Sequence, residues 1–181
     1  DVKASQALFD RVKELGGQPV MWKTGHSLIK AKMVELDAPL AGEMSGHIFY
    51  KHKFYGHDDA PYAGIRFLNA ITSQGGDLDA LKDGLPAAIN TPELRFDCGD
   101  VRKFEVVQEV MARLKSAGAD MSTVDGVRVQ TDDGWWLLRA SNTQAVLVAR
   151  CEASTDEGLV RLKAALVAAL AGSGVDAPDD L

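Results

Sequence analysis

The chain has little of what membrane, nucleic-acid-binding or disulfide-rich proteins need. Its richest apolar run, residues 164–171, is much shorter than the roughly 20 residues that cross a bilayer. Lysine and arginine number 20 against 26 aspartates and glutamates, and a formal charge of −6 argues against general binding to phosphate backbones. The sequence therefore predicts no membrane and no nucleic-acid partner, and any anionic ligand has to be held locally by a few cations and backbone amides.

The two cysteines, Cys98 and Cys151, lie far apart and match no metal-binding or redox spacing. Two buried free thiols are favoured over a disulfide, and the N-terminus has no signal-peptide character, so we expect a cytoplasmic protein. The short lead-in at residues 1–3 resembles the end of a strand whose partners are absent. We therefore also expect the chain to be truncated at its N-terminus.

Strand and helix patterns alternate over the first half of the chain. Apolar residues at helical spacing predict three helices, and short apolar runs predict strands at residues 19–22, 40–41 and 47–50. Asp58 and Asp59 are expected to open the third helix, where negative charge is favourable. Residues 1–83 are therefore predicted to form an α/β domain with an incomplete mixed sheet and packed helices.

The pattern changes after a glycine-rich, charged stretch at residues 73–86, which marks the predicted domain junction. Four strands and two helices follow. Asp100 is expected to cap the first helix, and Ser154 with Glu157 has the spacing of a capping box at the start of the second. Residues 84–181 are therefore predicted to form an α+β domain, a small antiparallel sheet covered by two helices.

A polar segment between two predicted strands, the 139–143 loop, is the first candidate site. Arg139 supplies a planar fork that can hold two oxygens of one phosphate. Ser141, Asn142 and Thr143 add hydroxyl and amide groups and favour a turned backbone that exposes N–H groups. The residues alone fit a phosphate dianion and a plain polar hairpin with a surface arginine equally well.

The second candidate site is the 42–47 turn, which reads GEMSGH. Its two glycines permit a sharp bend, and Glu43 can accept two hydrogen bonds, as from neighbouring hydroxyls of a sugar. Ser45 adds a donor or an acceptor, and His47 can exchange a proton near neutral pH. The alternative is a tight connection around a buried, satisfied glutamate, which the residues alone favour somewhat.

Three histidines recur every five residues at His47, His52 and His57, and a histidine-metal hydrolase is the corresponding alternative. Positions five apart share no face of a helix or a strand, so we do not expect a metal there. His26 lies at the start of a predicted helix and either meets an anion or caps that helix. Lys3 points either into a cleft or into water.

Two long segments resemble one enzyme family. PVMWKTGHSLIKAKM and LAGEMSGHIFYKHKFYGHDDAPYAGIRFL resemble the third domain of the bacterial phosphomannomutase/phosphoglucomutase enzymes, in the α-D-phosphohexomutase superfamily. DGVRVQTDDGWWLLRASNT and VLVARCEA resemble their fourth domain. The resemblance covers nearly the whole chain and implies a TATA-binding-protein-like arrangement for the second domain.

The resemblance implies roles for both candidate sites. Glu43 and Ser45 would bind the 3- and 4-hydroxyls of a hexose, and His47 would lie near the reacting oxygen as a catalytic residue. Lys3 and His26 would also face the ligand. The phosphate that is not transferred would be held by the later loop, through Arg139, Ser141, Asn142 and Thr143.

The activity implied by the resemblance is interconversion of mannose or glucose 1- and 6-phosphates. It would proceed through a phosphoserine, Mg²⁺ and a glucose or mannose 1,6-bisphosphate intermediate. The serine loop and the aspartate-rich magnesium loop are absent from this chain and belong to domains 1 and 2, which would be its partners. This chain would bind the hexose phosphate without turnover, and the alternative is a non-catalytic sugar-phosphate-binding or regulatory module.

One departure from the family affects the 139–143 loop. Relatives commonly carry a proline after SNT, whereas this chain has Gln144 and Ala145. Because proline restricts the backbone, its absence predicts a freer loop.

Overall fold

The computed structural model describes residues 1–177. The chain divides into two compact units, one over Asp1–Pro86 and one from Ala87 onward. The described residues form six helices and nine strands. Over the same residues, no helix has both the length and the apolar character that crossing a membrane requires.

The first unit combines four helices with a three-stranded sheet. In chain order its elements are α1 (Gln6–Glu14), α2 (His26–Leu36), β1 (Leu40–Gly42), β2 (Ile48–Tyr50), β3 (His57–Asp58), α3 (Ala60–Ser73) and α4 (Leu78–Asp83). The sheet has the order β1-β2-β3 and both of its pairings are antiparallel.

The core of the first unit centres on Phe49, which is fully buried against Ile29 and Met33 of α2. The predicted apolar face of α3 is largely exposed, since Ile65 and Leu68 keep 65% and 63% of their surface. The strand predicted at residues 19–22 is wrong. That segment forms no strand, because none of the described strands pairs with it and it satisfies no sheet ladder.

The second unit carries the larger sheet. Its elements are β4 (Ile89–Asn90), β5 (Leu94–Asp97), α5 (Arg102–Ser116), β6 (Met121–Ser122), β7 (Val127–Thr131), β8 (Gly134–Ala140), β9 (Val146–Ala153) and α6 (Asp156–Ala171). The strand order is β4-β9-β8-β7-β6, with β5 also paired to β9, and every pairing is antiparallel. An α/β unit followed by an α+β unit confirms the predicted fold class. The mixed sheet predicted for the first unit is wrong in its pairing, since both described pairings of that sheet are antiparallel.

The core of the second unit lies between the sheet and its two helices. Leu138 and Leu147 of the sheet and Val110 and Leu166 of the helices are fully buried in one cluster. Strand β8 is buried on both of its faces from Trp135 to Arg139. Cys98 and Cys151 are free thiols, as predicted, with Cys151 in this core and Cys98 half-buried.

Both helix starts predicted for the second unit are shifted. Val101 occupies the N-cap position of α5 without a side-chain cap, because the Asp100 carboxylate accepts a hydrogen bond from Lys103 Nζ instead, at 3.0 Å. At α6 the cap is Thr155, whose hydroxyl accepts from the Gly158 amide at 3.0 Å. The capping box predicted at Ser154 is therefore wrong by one residue.

Candidate functional site

The 42–47 turn connects β1 to β2 as a tight hairpin. Gly42 lies opposite Ile48 in the sheet register. Two backbone hydrogen bonds close the turn, from Glu43 N to His47 O at 2.8 Å and from Gly46 N to Glu43 O at 3.0 Å. Gly46 has a φ of +93°, which side chains other than hydrogen disfavour. The hairpin therefore presents its polar side chains on a rigid, local frame.

Glu43 is the half-buried member of this turn. Its Oε2 atom lies 3.4 Å from the Ser45 hydroxyl, which donates to it. Its Oε1 atom is buried and has no hydrogen-bond partner within residues 1–177. A buried carboxylate oxygen without a donor is costly, so this atom is suited to a hydroxyl supplied by a ligand. Ser45 itself is exposed.

His47 forms a close pair with Asp58. Its Nδ1 atom lies 2.6 Å from Asp58 Oδ2. The sheet makes this contact possible, because Asp58 of β3 lies opposite Phe49 of β2, two residues after His47. The carboxylate favours a proton on Nδ1, which leaves Nε2 as the ring nitrogen that can accept a proton or a hydrogen bond.

Lys3 and His26 lie on other elements of the first unit. Lys3 precedes α1 and retains 8% of its surface, and its amide donates to Asp1 Oδ1 at 2.9 Å. His26 is the exposed first residue of α2. The N-cap is Gly25, with a φ of +130°, so the alternative of His26 as a cap is wrong. Ligand contact by both residues stays a prediction.

Arg139 is the last but one residue of β8 and is a buried cation, with 4% of its surface exposed. Its Nε atom donates to Asp125 Oδ2 at 3.0 Å. Its Nη2 atom is buried and has no acceptor within the described part of the chain. The predicted alternative of a surface arginine is therefore wrong, because this guanidinium is enclosed, ion-paired and incompletely hydrogen-bonded.

The turn at Asp125 and Gly126 fits closely against Arg139. Gly126 has a φ of +80°, and a Cβ atom built there would lie 2.3 Å from the Leu138 carbonyl oxygen and 2.7 Å from Arg139 Cβ. Only glycine permits that approach. The sequence thus places a carboxylate beside the guanidinium and fixes the direction of its fork.

The rest of the 139–143 loop is a compact turn around Ser141. Ser141 is buried, and its Oγ atom accepts from the amides of Thr143 at 3.4 Å and Gln144 at 3.2 Å. The Ser141 amide donates to Val146 O at 3.0 Å. Asn142 and Thr143 are exposed. Arg139 and Ser141 therefore form the buried base of the loop, and Asn142 and Thr143 form its outer edge.

The three regularly spaced histidines do not form a metal site. His47 pairs with Asp58, whereas the ring of His52 lies 3.4 Å from the Arg66 guanidinium. Over residues 1–177, no group of three or more histidine, cysteine, aspartate or glutamate side chains could hold a metal ion. The magnesium implied by the resemblance therefore finds no fitting ligands here, and the metal-hydrolase alternative has no structural support.

Sequence reasoning missed two residues of these sites, Asp58 and Asp125. Asp58 was assigned to a helix start, and Asp125 only to a turn. Each pairs with a residue 11 or 14 positions away, so each depends on strand pairing that local patterns do not define. The available signal was a carboxylate at the end of a strand adjacent to the functional loop.

Two domain families match this chain. Residues 1–89 match "Phosphoglucomutase/phosphomannomutase, alpha/beta/alpha domain III", and residues 93–169 match "Phosphoglucomutase/phosphomannomutase, C-terminal domain". Together they define the class as the last two domains of a sugar-phosphate mutase. The chain belongs to the phosphoglucomutase/phosphomannomutase family.

Individual relatives agree. The chain is 44% identical over 163 residues to a phosphomannomutase/phosphoglucomutase of Pseudomonas aeruginosa, covering 90% of this chain and 35% of that protein. A phosphoglucomutase of Neisseria gonorrhoeae is 42% identical over 165 residues, with 90% and 36% covered.

A solved structure of a phosphoglucomutase/phosphomannomutase family protein from Burkholderia thailandensis also matches. It superposes with a TM-score of 0.87 at 45% identity, covering 96% of this chain and 37% of that one. The chain thus spans about a third of the length of the relatives it matches.

Proposed function

We propose that this chain is the sugar- and phosphate-binding part of a mutase that interconverts hexose 1-phosphate and hexose 6-phosphate, with mannose or glucose as the sugar. The main support is Arg139. Its guanidinium is buried and ion-paired to Asp125 through Nε, while Nη2 has no acceptor within the described residues. It stands at the start of a polar loop in a protein of net charge −6. The planar fork of a guanidinium matches the oxygens of a phosphate and can bind two of them at once.

In this proposal the 42–47 turn binds the hydroxyls of the sugar. Glu43 Oε1 lacks a donor, and sugar hydroxyls supply such donors in neighbouring pairs. One binding site for hydroxyls and one for phosphate suit a substrate that has to react at either end. Binding energy from the phosphate that is not transferred then positions the reacting hydroxyl.

His47 is the residue that exchanges a proton with the substrate in this proposal. A hydroxyl that accepts a phosphoryl group loses its proton, and in this proposal His47 Nε2 accepts it. The phosphoserine and the magnesium ligands come from domains 1 and 2 of the same enzyme. Magnesium bound there would offset negative charge on the transferring phosphoryl group.

The first test is Arg139→Ala in an enzyme that joins this chain to its N-terminal domains. Affinity for hexose phosphate is expected to fall by about 1.5–3 kcal/mol, the scale for a lost charge-assisted hydrogen bond. Isothermal titration calorimetry measures it. Arg161→Ala is the matched control, because Arg161 is an exposed arginine of the same unit, paired to Asp133. Unchanged affinity in Arg139→Ala contradicts the assignment of the loop.

The second test separates a partial enzyme from a non-catalytic binding module. The 181-residue chain mixed with glucose 1-phosphate is expected to give no isomerisation, whereas the chain joined to the serine and aspartate loops turns over. The chain alone is also expected to bind the sugar phosphate weakly. Tight binding without the other domains favours the module, and turnover by the chain alone rejects the proposal.

A further inference from the structure

Lys103 is a buried lysine next to the 139–143 loop. It lies in the first turn of α5 and keeps only 4% of its surface. Burying an ammonium group is costly unless it is paired and hydrogen-bonded. Its Nζ atom donates to Asp100 Oδ1 at 3.0 Å and to the Gln144 main-chain carbonyl at 2.8 Å. The cation is therefore held against the backbone of the loop.

The segment before Lys103 holds the same part of the loop at two more points. The Cys98 amide donates to the Ala145 carbonyl at 2.9 Å. The Arg95 guanidinium donates to the side-chain amide oxygen of Gln144. Both carbonyls that follow the 139–143 loop, and the Gln144 side chain, are thus fixed by the segment from β5 to the start of α5.

These contacts fall at the position where the family's proline is missing. The absence of proline at Gln144 and Ala145 predicts a freer loop, but in the structure hydrogen bonds restrain these two residues in place of a proline ring. An ammonium that binds a carbonyl resists rotation of that peptide group, because rotation would remove one of the two acceptors of the buried charge and leave it with Asp100 alone. The turn around Ser141, which begins one strand residue after Arg139, is thereby held in one conformation.

We propose that Lys103 is a positioning residue for the 139–143 loop, an inference that rests on the proposed role of this loop in holding a phosphate. Lys103 fixes the Gln144 peptide, so that Ser141, Asn142 and Thr143 face the ligand in one arrangement. It also places a positive charge behind the loop, which favours an anion in an otherwise acidic protein.

The first experiment needs no ligand and uses hydrogen exchange of the 181-residue chain. Lys103→Met keeps the length of the side chain and removes its donor. Exchange of the Cys98 and Ser141 amides, which donate to Ala145 and Val146, is expected to become about tenfold faster, the scale of one net hydrogen bond. Lys115→Met is the control, because Lys115 is an exposed lysine of the same helix. Unchanged exchange in Lys103→Met overturns the inference.

The second experiment measures steady-state kinetics in the enzyme joined to its N-terminal domains. Lys103→Met is expected to raise KM for hexose phosphate about tenfold, while the thermal midpoint stays near that of Lys115→Met. Lys103→Arg should recover most of the loss, because a guanidinium can also donate to the Gln144 carbonyl. A KM that changes only together with the thermal midpoint indicates a structural role and overturns the inference.

The outcomes separate this inference from the proposed function. If Arg139→Ala leaves hexose phosphate binding unchanged, the proposed function fails, whatever Lys103 does to loop exchange. If Arg139→Ala weakens binding but Lys103→Met alters neither exchange nor KM, only the inference fails. If Lys103→Met does not fold, hydrogen exchange and steady-state kinetics are measured on Lys103→Gln instead. That variant is expected to show smaller increases in amide exchange and in KM.

Discussion

At the residue scale, both candidate sites contain a side chain of proposed function that is held by a carboxylate from a neighbouring turn or strand. Asp58 holds His47, and Asp125 holds Arg139. In each pair the carboxylate fixes orientation and leaves one nitrogen for a ligand, Nε2 of His47 and Nη2 of Arg139. This arrangement reduces the rotational freedom that a ligand would otherwise have to remove on binding.

The tautomer of His47 is the first prediction at this scale. In alkaline buffer, where imidazole is neutral, the Asp58 carboxylate is expected to keep the proton on Nδ1 of His47. Asp58→Ala removes that acceptor and should shift the population toward the Nε2–H form. Long-range ¹H–¹⁵N correlation spectra of the histidine rings measure both states.

The spectra contain their own reference, since His26 and His52 should keep their signals in the variant. Asp37→Ala is the matched control, because Asp37 is an exposed carboxylate of the same unit, paired to Lys51. A wild-type His47 already protonated on Nε2 would show that Asp58 does not set the tautomer.

At the scale of elements, the sequence correctly predicts those strands whose own residues show a pattern typical of a buried strand. Strand β8, with its run from Trp135 to Leu138, lies where expected because its apolar residues are buried on both faces. The strand predicted at residues 19–22 fails because a strand exists only with a partner. The 42–47 turn and the 139–143 loop are identifiable from glycines and polar residues, whereas their supporting carboxylates depend on tertiary pairing.

The helix caps of the second unit were also predicted incorrectly from the sequence, and the cap of α6 can be tested directly. Thr155→Ala removes the hydroxyl that accepts from the Gly158 amide, so the free energy of unfolding of the chain is expected to fall by about 0.5–2 kcal/mol. Urea denaturation followed by circular dichroism measures it. Ser154→Ala is the control at the neighbouring residue, which the sequence predicted as the cap.

Ser154 is exposed, and its backbone amide donates to Asp133 O, a contact that alanine preserves. Its substitution should therefore change stability by only a few tenths of a kcal/mol. If Ser154→Ala costs more than Thr155→Ala, the helix begins one residue earlier than the structure has it.

At the scale of the whole molecule, apolar residues are buried very unevenly. In the second unit Val106, Val110, Leu138, Leu147 and Leu166 are fully buried in one continuous core. In the first unit large apolar side chains remain exposed on or just after several helices: Leu15 at 70%, Val34 at 78%, Ile65 at 65% and Leu68 at 63%. Because burial of apolar surface is the main stabilising term in folding, the first unit has less to hold it together.

The last prediction follows from this difference. Amides of residues 1–86 are expected to exchange with solvent at least about tenfold faster than those of β8 and β9, because local opening costs least where few apolar groups are buried. Hydrogen exchange with mass spectrometry of the 181-residue chain measures both units in one sample. The control is the same measurement on the enzyme joined to its N-terminal domains, where added contacts should slow exchange in the first unit and leave β8 and β9 unchanged. Equal exchange rates in both units of the isolated chain would show that exposure of these side chains does not limit stability.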